Sequence, residues 1–160
     1  MENIRQMGVL KSYINFQLLD YIDEKFLEGD EAARYLVTSF AQRKSFEPNV
    51  ILDCISCKET TLTLLSGMIF FVRSNTLPPI EDDKCKWWKH IEISIDQNDD
   101  IRVTAITIIR NAIAHWDEGH TGVEFLEGST KFSSRKGTLS ITDEGLHLLV
   151  MQMYGYSQRA

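Results

Sequence analysis

Between Asp100 and Trp116 apolar residues return at helical spacing, and this run constrains the fold more than any other part of the chain. At about 100° per residue, Ile101, Ala105, Ile108, Ile109, Ala112 and Trp116 fall on one broad stripe that must be buried against the rest of the domain. Arg110 falls roughly opposite. Its neighbours at helical spacing, Val103, Thr107 and Ala114, are small or mildly apolar, where a solvated face would carry Lys and Glu. Such a helix is expected to pack on two sides, once against its own bundle and once against a further surface. A second copy of the chain is the natural candidate for that surface.

The same run carries the chemistry. Asn111 and His115 are four apart and share a face, whereas Arg110 and His115 are five apart and diverge by about 140° on an ideal helix. One protomer therefore aims the two side chains awkwardly, and a two-fold axis near this helix would let the Arg of one chain and the His of the other converge on one phosphate. An imidazole accepts or donates a proton near neutral pH. A planar guanidinium offers a five-donor fork to phosphate oxygens and to the extra charge of a transition state. The competing assignments are structural: a surface ion pair for Arg110, a helix-face amide for Asn111, and for His115 a cation facing the negative end of the helix dipole.

Arg110-Asn111-Ala112-Ile113-Ala114-His115, near the end of a late helix in a mainly helical chain, resembles the HEPN superfamily (higher eukaryotes and prokaryotes nucleotide-binding). The motif of that family is an Arg, four to six residues and a His, with the first intervening residue commonly polar, as Asn111 is here. The likeness covers roughly residues 1–118 and is sharp from Ile109 to Trp116. It implies a mainly α chain built on an antiparallel helical bundle, to which the residue pattern of the tail adds a small C-terminal β-hairpin and a terminal helix. It also implies a homodimer through the Arg110/His115 helix and a metal-independent endoribonuclease with Arg110, Asn111 and His115 as catalytic residues. Neither cofactor nor metal is called for. Similar proteins are bacterial toxins or phage-defence effectors cutting cellular or invading RNA, often restrained by an antitoxin protein. The alternative is a catalytically silent HEPN-like adaptor that binds a nucleotide, RNA or protein partner; a third reading is a structural helical domain in which the motif is coincidental.

Composition narrows these readings. A length of 160 residues with 43% hydrophobic content fits one domain with a sizeable core. The net charge of −6 argues against a general nucleic-acid binder, because nonspecific affinity is a sum over Lys and Arg contacts. Any RNA must meet a local basic groove. Three cysteines, the absence of a charged-then-apolar leader pattern and the lack of a long apolar span lead to the expectation of a cytoplasmic protein with no membrane association. Cys54 and Cys57 form a CxxC that would need Cys85 and His90 to complete a zinc site; the other assignment is cysteines packed on an apolar helix.

The expected elements are a first helix from about Asn3 to Glu28, ended by Gly29, with Met7, Leu10, Ile14, Leu18, Tyr21 and Ile22 on its apolar face. A second helix, capped by Asp30, carries Ala33, Leu36, Val37 and Phe40, and a third runs from Asn49 to about Asn75 before Pro78-Pro79. A short fourth helix holds Trp87 and Trp88, and the acidic stretch from Asp96 leads to Asp100 at the start of the motif helix. Beyond a turn at Asp117–Gly122, the segments 123–126 and 137–141 read as a hairpin joined by the polar segment 127–136. Thr142 then caps a last helix with Leu146, Leu149, Val150 and Met153. Residues 1–118 thus form the bundle of a single domain and 119–160 an appendage that covers its open end or walls the groove near His115. Within that appendage Lys131, Arg135 and Lys136 are candidate RNA-binding residues or an ordinary solvated turn. The Lys84–His90 stretch interleaves cations with Trp87 and Trp88, which suits base stacking or, more simply, a core-facing helix with a Lys rim. Asp117, Glu118 and His120, just past the motif, read as a helix end rather than as catalytic groups.

Overall fold

A computed structural model describes residues 2–71, 77, 83–95, 100–116 and 119–157. The elements are α1 (Glu2–Leu27), α2 (Glu31–Lys44), α3 (Pro48–Ser56), α4 (Lys58–Ile69), a 3-10 helix (Asp83–His90), β1 (Ile91–Ile95), α5 (Ile101–Ala114), β2 (Gly122–Leu126), β3 (Ser129–Ser134), β4 (Gly137–Thr142) and α6 (Asp143–Ser157). The chain is mainly helical with one small antiparallel sheet.

Helix boundaries follow local chemistry. Gly29, with φ at 85°, takes the left-handed conformation just after α1. The Asp30 carboxylate accepts a hydrogen bond from Ala33 N at 2.9 Å and caps α2. Between α3 and α4 the expected single long helix is interrupted, with Cys57 extended at φ −72° and ψ 153°. No Gly or Pro causes this break. The Thr60 hydroxyl donates to the Cys54 carbonyl at 2.6 Å, occupying an acceptor that a continuous helix would have used for a backbone amide. The end expected near Asn75 and the stop at Pro78-Pro79 lie outside the described residues.

The apolar face expected on α1 is not the buried one. Met7, Ile14, Leu18 and Tyr21 are each about half exposed, while Val9 and Phe16 enter the core with Tyr13 packed beside them. Apolar residues surround this helix, so its own periodicity does not select the face; contact with α4 and α6 does.

The sheet has the order β1-β4-β3-β2, every neighbour antiparallel. Two of its strands depart from expectation. Ile91–Ile95 forms β1, pairing Ile93 with Leu139, and the segment expected to be a polar connector forms β3 between the two strands of the expected hairpin. Alternation explains β3: Thr130 and Phe132 are fully buried, and Lys131 between them points to the other face. Gly137 opens β4 with φ at 134°, and a Cβ there would collide with the Ser94 carbonyl oxygen, so the β3–β4 turn can close onto β1 only with glycine.

Helix α5 packs on β2, β3 and β4, whereas α6 packs against α4, α1 and the 3-10 helix. One core cluster joins Val9 and Phe16 of α1, Leu65 and Ile69 of α4, Ile108 and Ile109 of α5, Phe132 and Leu139 of the sheet, and Leu149 and Met153 of α6. Thr142 caps α6 as expected, its hydroxyl accepting from Gly145 N at 3.1 Å. Lys58, at the first turn of α4, ties the layers: its ammonium donates to the carbonyls of Leu126 at 2.5 Å and Ser129 at 3.3 Å and pairs with Asp143 at 2.9 Å.

Candidate functional site

Asp100 starts the motif helix by accepting from Arg102 N at 3.0 Å, and the Arg102 guanidinium grips the same carboxylate through Nε at 3.1 Å and Nη2 at 2.7 Å. These hydrogen bonds hold the Asp100 carboxyl below the usual carboxylate range. After the 14 residues of α5 the chain reaches His115, whose φ of −120° and ψ of 37° leave the helical region while its N–H still donates to the Asn111 carbonyl at 2.9 Å. His115 therefore sits one turn beyond Asn111. Both side chains line a cleft of about 200 Å³ together with Thr121, Ser134 and Arg135.

The walls of this cleft come from two parts of the chain. Asn111 and His115 belong to the end of α5, Thr121 precedes β2, and Ser134 and Arg135 form the end of β3 and the turn into β4. The C-terminal third thus walls the groove near His115, one of the two roles expected of it. Arg135 is exposed on that turn. The Ser134 hydroxyl accepts from the Lys136 backbone N–H at 3.1 Å, which uses one of its two lone pairs and leaves its O–H available to donate.

Arg110 points elsewhere. Its half-buried guanidinium donates from Nε at 3.3 Å and from Nη2 at 2.9 Å to the carbonyl of Ile69, the last residue of α4. Burial pushes its pKa down from the ordinary value, yet a guanidinium stays charged in proteins, so it acts here as a cation at a helix C-terminus. The divergence of Arg110 from His115 within one protomer is as the helical angles require. The helix face around it is neither core nor fully solvated: Val103, Thr107 and Arg110 are half-buried and Ala114 is exposed.

Of the three candidate RNA-binding residues only Arg135 lines the cleft. Lys131 lies on β3 rather than on a loop and faces Glu124 of the neighbouring strand at 3.8 Å, and Lys136 follows Arg135 on the turn. Thr121 and Ser134 escape a reading of the sequence, because only the pairing of β2 with β3, which sets Gly122 opposite Ser133, brings the two together at the cleft.

Among the described residues, the tryptophans of the remaining motifs have structural roles. Trp87 is buried and its indole N–H donates to the Tyr156 hydroxyl at 2.9 Å, so it is a core residue and not a base-stacking platform; Trp88 meets it edge-on at 5.4 Å. Trp116, expected on the buried stripe of the motif helix, is 46% exposed and leans on Phe125 beyond the helix end. Ile101, at the first turn, is also exposed. Cys54 is exposed, Cys57 half-buried and Cys85 buried, and among the described residues no group of three or more His, Cys, Asp or Glu side chains could hold a metal ion. Asp117, Glu118 and Lys84 lie outside the described residues or side chains, and His120 is exposed on the turn before β2. Among the described residues no helix is long and apolar enough to cross a membrane.

No protein-family model, curated protein or solved structure matches this chain.

Proposed function

We propose that this chain is a metal-independent endoribonuclease of the HEPN type, built on a HEPN-like bundle and active as a homodimer, with a toxin or phage-defence role under the control of an antitoxin protein. The observation that carries the reading is the convergence of Asn111 and His115 on one polar cleft at the end of α5. An imidazole there removes the proton from a ribose 2′-hydroxyl, and the oxygen attacks the adjacent phosphorus. The P–O5′ bond breaks as the leaving oxygen takes a proton from water, and the imidazolium returns its proton to solvent, so the products are a 2′,3′-cyclic phosphate and a 5′-hydroxyl. Asn111 holds the substrate or orients the imidazole. Arg110 from the second copy stabilises the charge that builds on the non-bridging oxygens, held in place by its bond to Ile69.

One observation favours the silent adaptor instead. Within its own protomer the Arg110 guanidinium is engaged by the Ile69 carbonyl, a role that keeps the motif Arg useful without any catalysis. Subunit mixing separates the two readings. Arg110→Ala and His115→Ala are each expected to be inactive on a labelled RNA pool in EDTA, and after co-refolding a random mixture should regain about one quarter of native activity. Half of the dimers would then be mixed and each would own one intact composite site. No recovery from folded, dimeric mixtures refutes the composite site, and a native protein that never cleaves leaves the adaptor.

A further inference from the structure

We infer that the cleft at the end of α5 is a phosphodiester-binding site complete within one protomer, and that Arg135, on the β3–β4 turn, is the cation that meets the phosphate. The RNA identity of the ligand rests on the ribonuclease reading; the anion preference does not.

Three observations carry it. The five described residues lining the cleft offer an imidazole, a carboxamide, two hydroxyls and a guanidinium, with neither a carboxylate nor a purely apolar side chain among them. Among the described residues the lining therefore carries donors and no negative charge, a composition that suits an anion. The Ser134 hydroxyl accepts from the Lys136 N–H, which holds the side chain in place, and its own O–H is a further donor. Finally, Arg110 and Arg102 are committed to Ile69 and Asp100, whereas Arg135 makes neither a hydrogen bond nor an ion pair among the described residues. In a chain of net charge −6, a guanidinium left without a carboxylate at the rim of a donor-lined cleft is placed to take a phosphate oxygen pair.

The turn that presents Arg135 is built stiffly. Ser134 pairs with Gly137 across the β3–β4 hairpin, and Gly137 is pressed against β1 at a backbone position that excludes a Cβ. The guanidinium is therefore delivered by a two-residue turn anchored in a four-stranded sheet, which lowers the ordering cost of binding. Arg110 and Arg135 divide the work: Arg135 holds the phosphate in the ground state, and Arg110 of the other copy acts on the transition state.

The test is a titration of the native protein with a short RNA oligonucleotide whose 2′-hydroxyls are all methylated, so that it binds without being cut. Binding is followed by NMR at the side chains of Asn111 and His115 and at the amides of Ser134 and Arg135. These signals are expected to move together. Arg135→Gln should raise the Kd about tenfold and lower the salt slope by about 0.7, the loss of one phosphate contact on a single strand. Arg43→Gln, which removes the same charge from exposed α2, should leave both within twofold, and Arg135→Lys should recover part of the loss. An unchanged Kd in Arg135→Gln, an equal loss in Arg43→Gln, or shifts confined to another surface overturns the proposal. Cleft binding by a protein that never cleaves RNA would keep this site and end the ribonuclease reading. Cleavage that is indifferent to Arg135 would do the reverse.

Discussion

Replacing Arg110 by Ala should destabilise the fold as well as remove a candidate catalytic group. The guanidinium makes two hydrogen bonds to one carbonyl at the end of α4, at 2.9 and 3.3 Å, in a half-buried setting. Hydrogen bonds to a charged group contribute about 1.5–3 kcal/mol net, and a cation at a helix C-terminus adds about 0.3–1 kcal/mol. Partial exposure and the length of the Nε contact place the total near the lower end, so Arg110→Ala should cost about 2 kcal/mol. For a chain of this size that corresponds to about 4–8 °C in Tm. Urea denaturation followed by circular dichroism measures it. Arg110→Lys should recover about half, since an ammonium restores the charge but not the two-pronged geometry. A variant whose stability lies within about 0.5 kcal/mol of native would refute the capping role, and with it the reason given for the orientation of Arg110. If the loss is as large as expected, reduced cleavage by Arg110→Ala must be read on samples shown to be folded.

Further consequences follow from other contacts. Chiefly through its hydrogen bond to the Arg102 side chain, the Asp100 carboxyl is held below the usual range, so the folded pKa lies under the unfolded one. Its contribution to stability is complete above about pH 4 and disappears as the pH falls through the depressed folded value; Asp100→Asn should flatten this part of an acid titration monitored by fluorescence, while Asp100→Ala should also lose about 1 kcal/mol of cap at neutral pH. In the core, Tyr156→Phe removes the acceptor of the buried Trp87 indole N–H and should cost about 1–3 kcal/mol in denaturant unfolding, whereas the Trp87→Phe/Tyr156→Phe pair should cost less than the sum of the single changes. Additivity of the pair would mean that the hydrogen bond contributes nothing.

The parts of this fold that were legible in the sequence are those with local punctuation. Gly29, Asp30, Asp100 and Thr142 each mark a helix boundary by a mechanism that acts within four residues, and the structure keeps all four. The break at Cys57 was not legible, because a threonine side chain competing for a carbonyl leaves no breaker residue in the sequence. Nor was the buried face of α1, where apolar residues on several sides leave tertiary contact to choose Val9 and Phe16 over Met7 and Ile14. Strand β1 carries a strict Ile-Glu-Ile-Ser-Ile alternation and was readable in principle; β3 hides its two buried residues, Thr130 and Phe132, among Ser and Lys.

The candidate site divides in the same way. Helical geometry alone pairs Asn111 with His115 and separates Arg110 from both, and the structure has that arrangement. The other half of the cleft depends on which residues of a hairpin end beside α5, and that is a matter of long-range register. Arg135 stands in a basic cluster with Lys131 and Lys136, yet only the order β4-β3-β2 decides that it, and not its neighbours, reaches the cleft. Residue type nominated three cations; topology chose one.

The central claim, that His115 removes a proton from a 2′-hydroxyl to cut RNA without a metal, is tested most directly by one cleavage measurement. A defined RNA and the same RNA with a single 2′-deoxy substitution at the principal cut are incubated with native and His115→Ala protein in EDTA, and the product ends are identified by mass spectrometry. The account predicts 2′,3′-cyclic phosphate and 5′-hydroxyl ends from the native protein, loss of that one cut in the 2′-deoxy substrate, and a rate at least about 10²-fold lower for His115→Ala. Cleavage that persists at the 2′-deoxy position, or that is equal in His115→Ala, would contradict it.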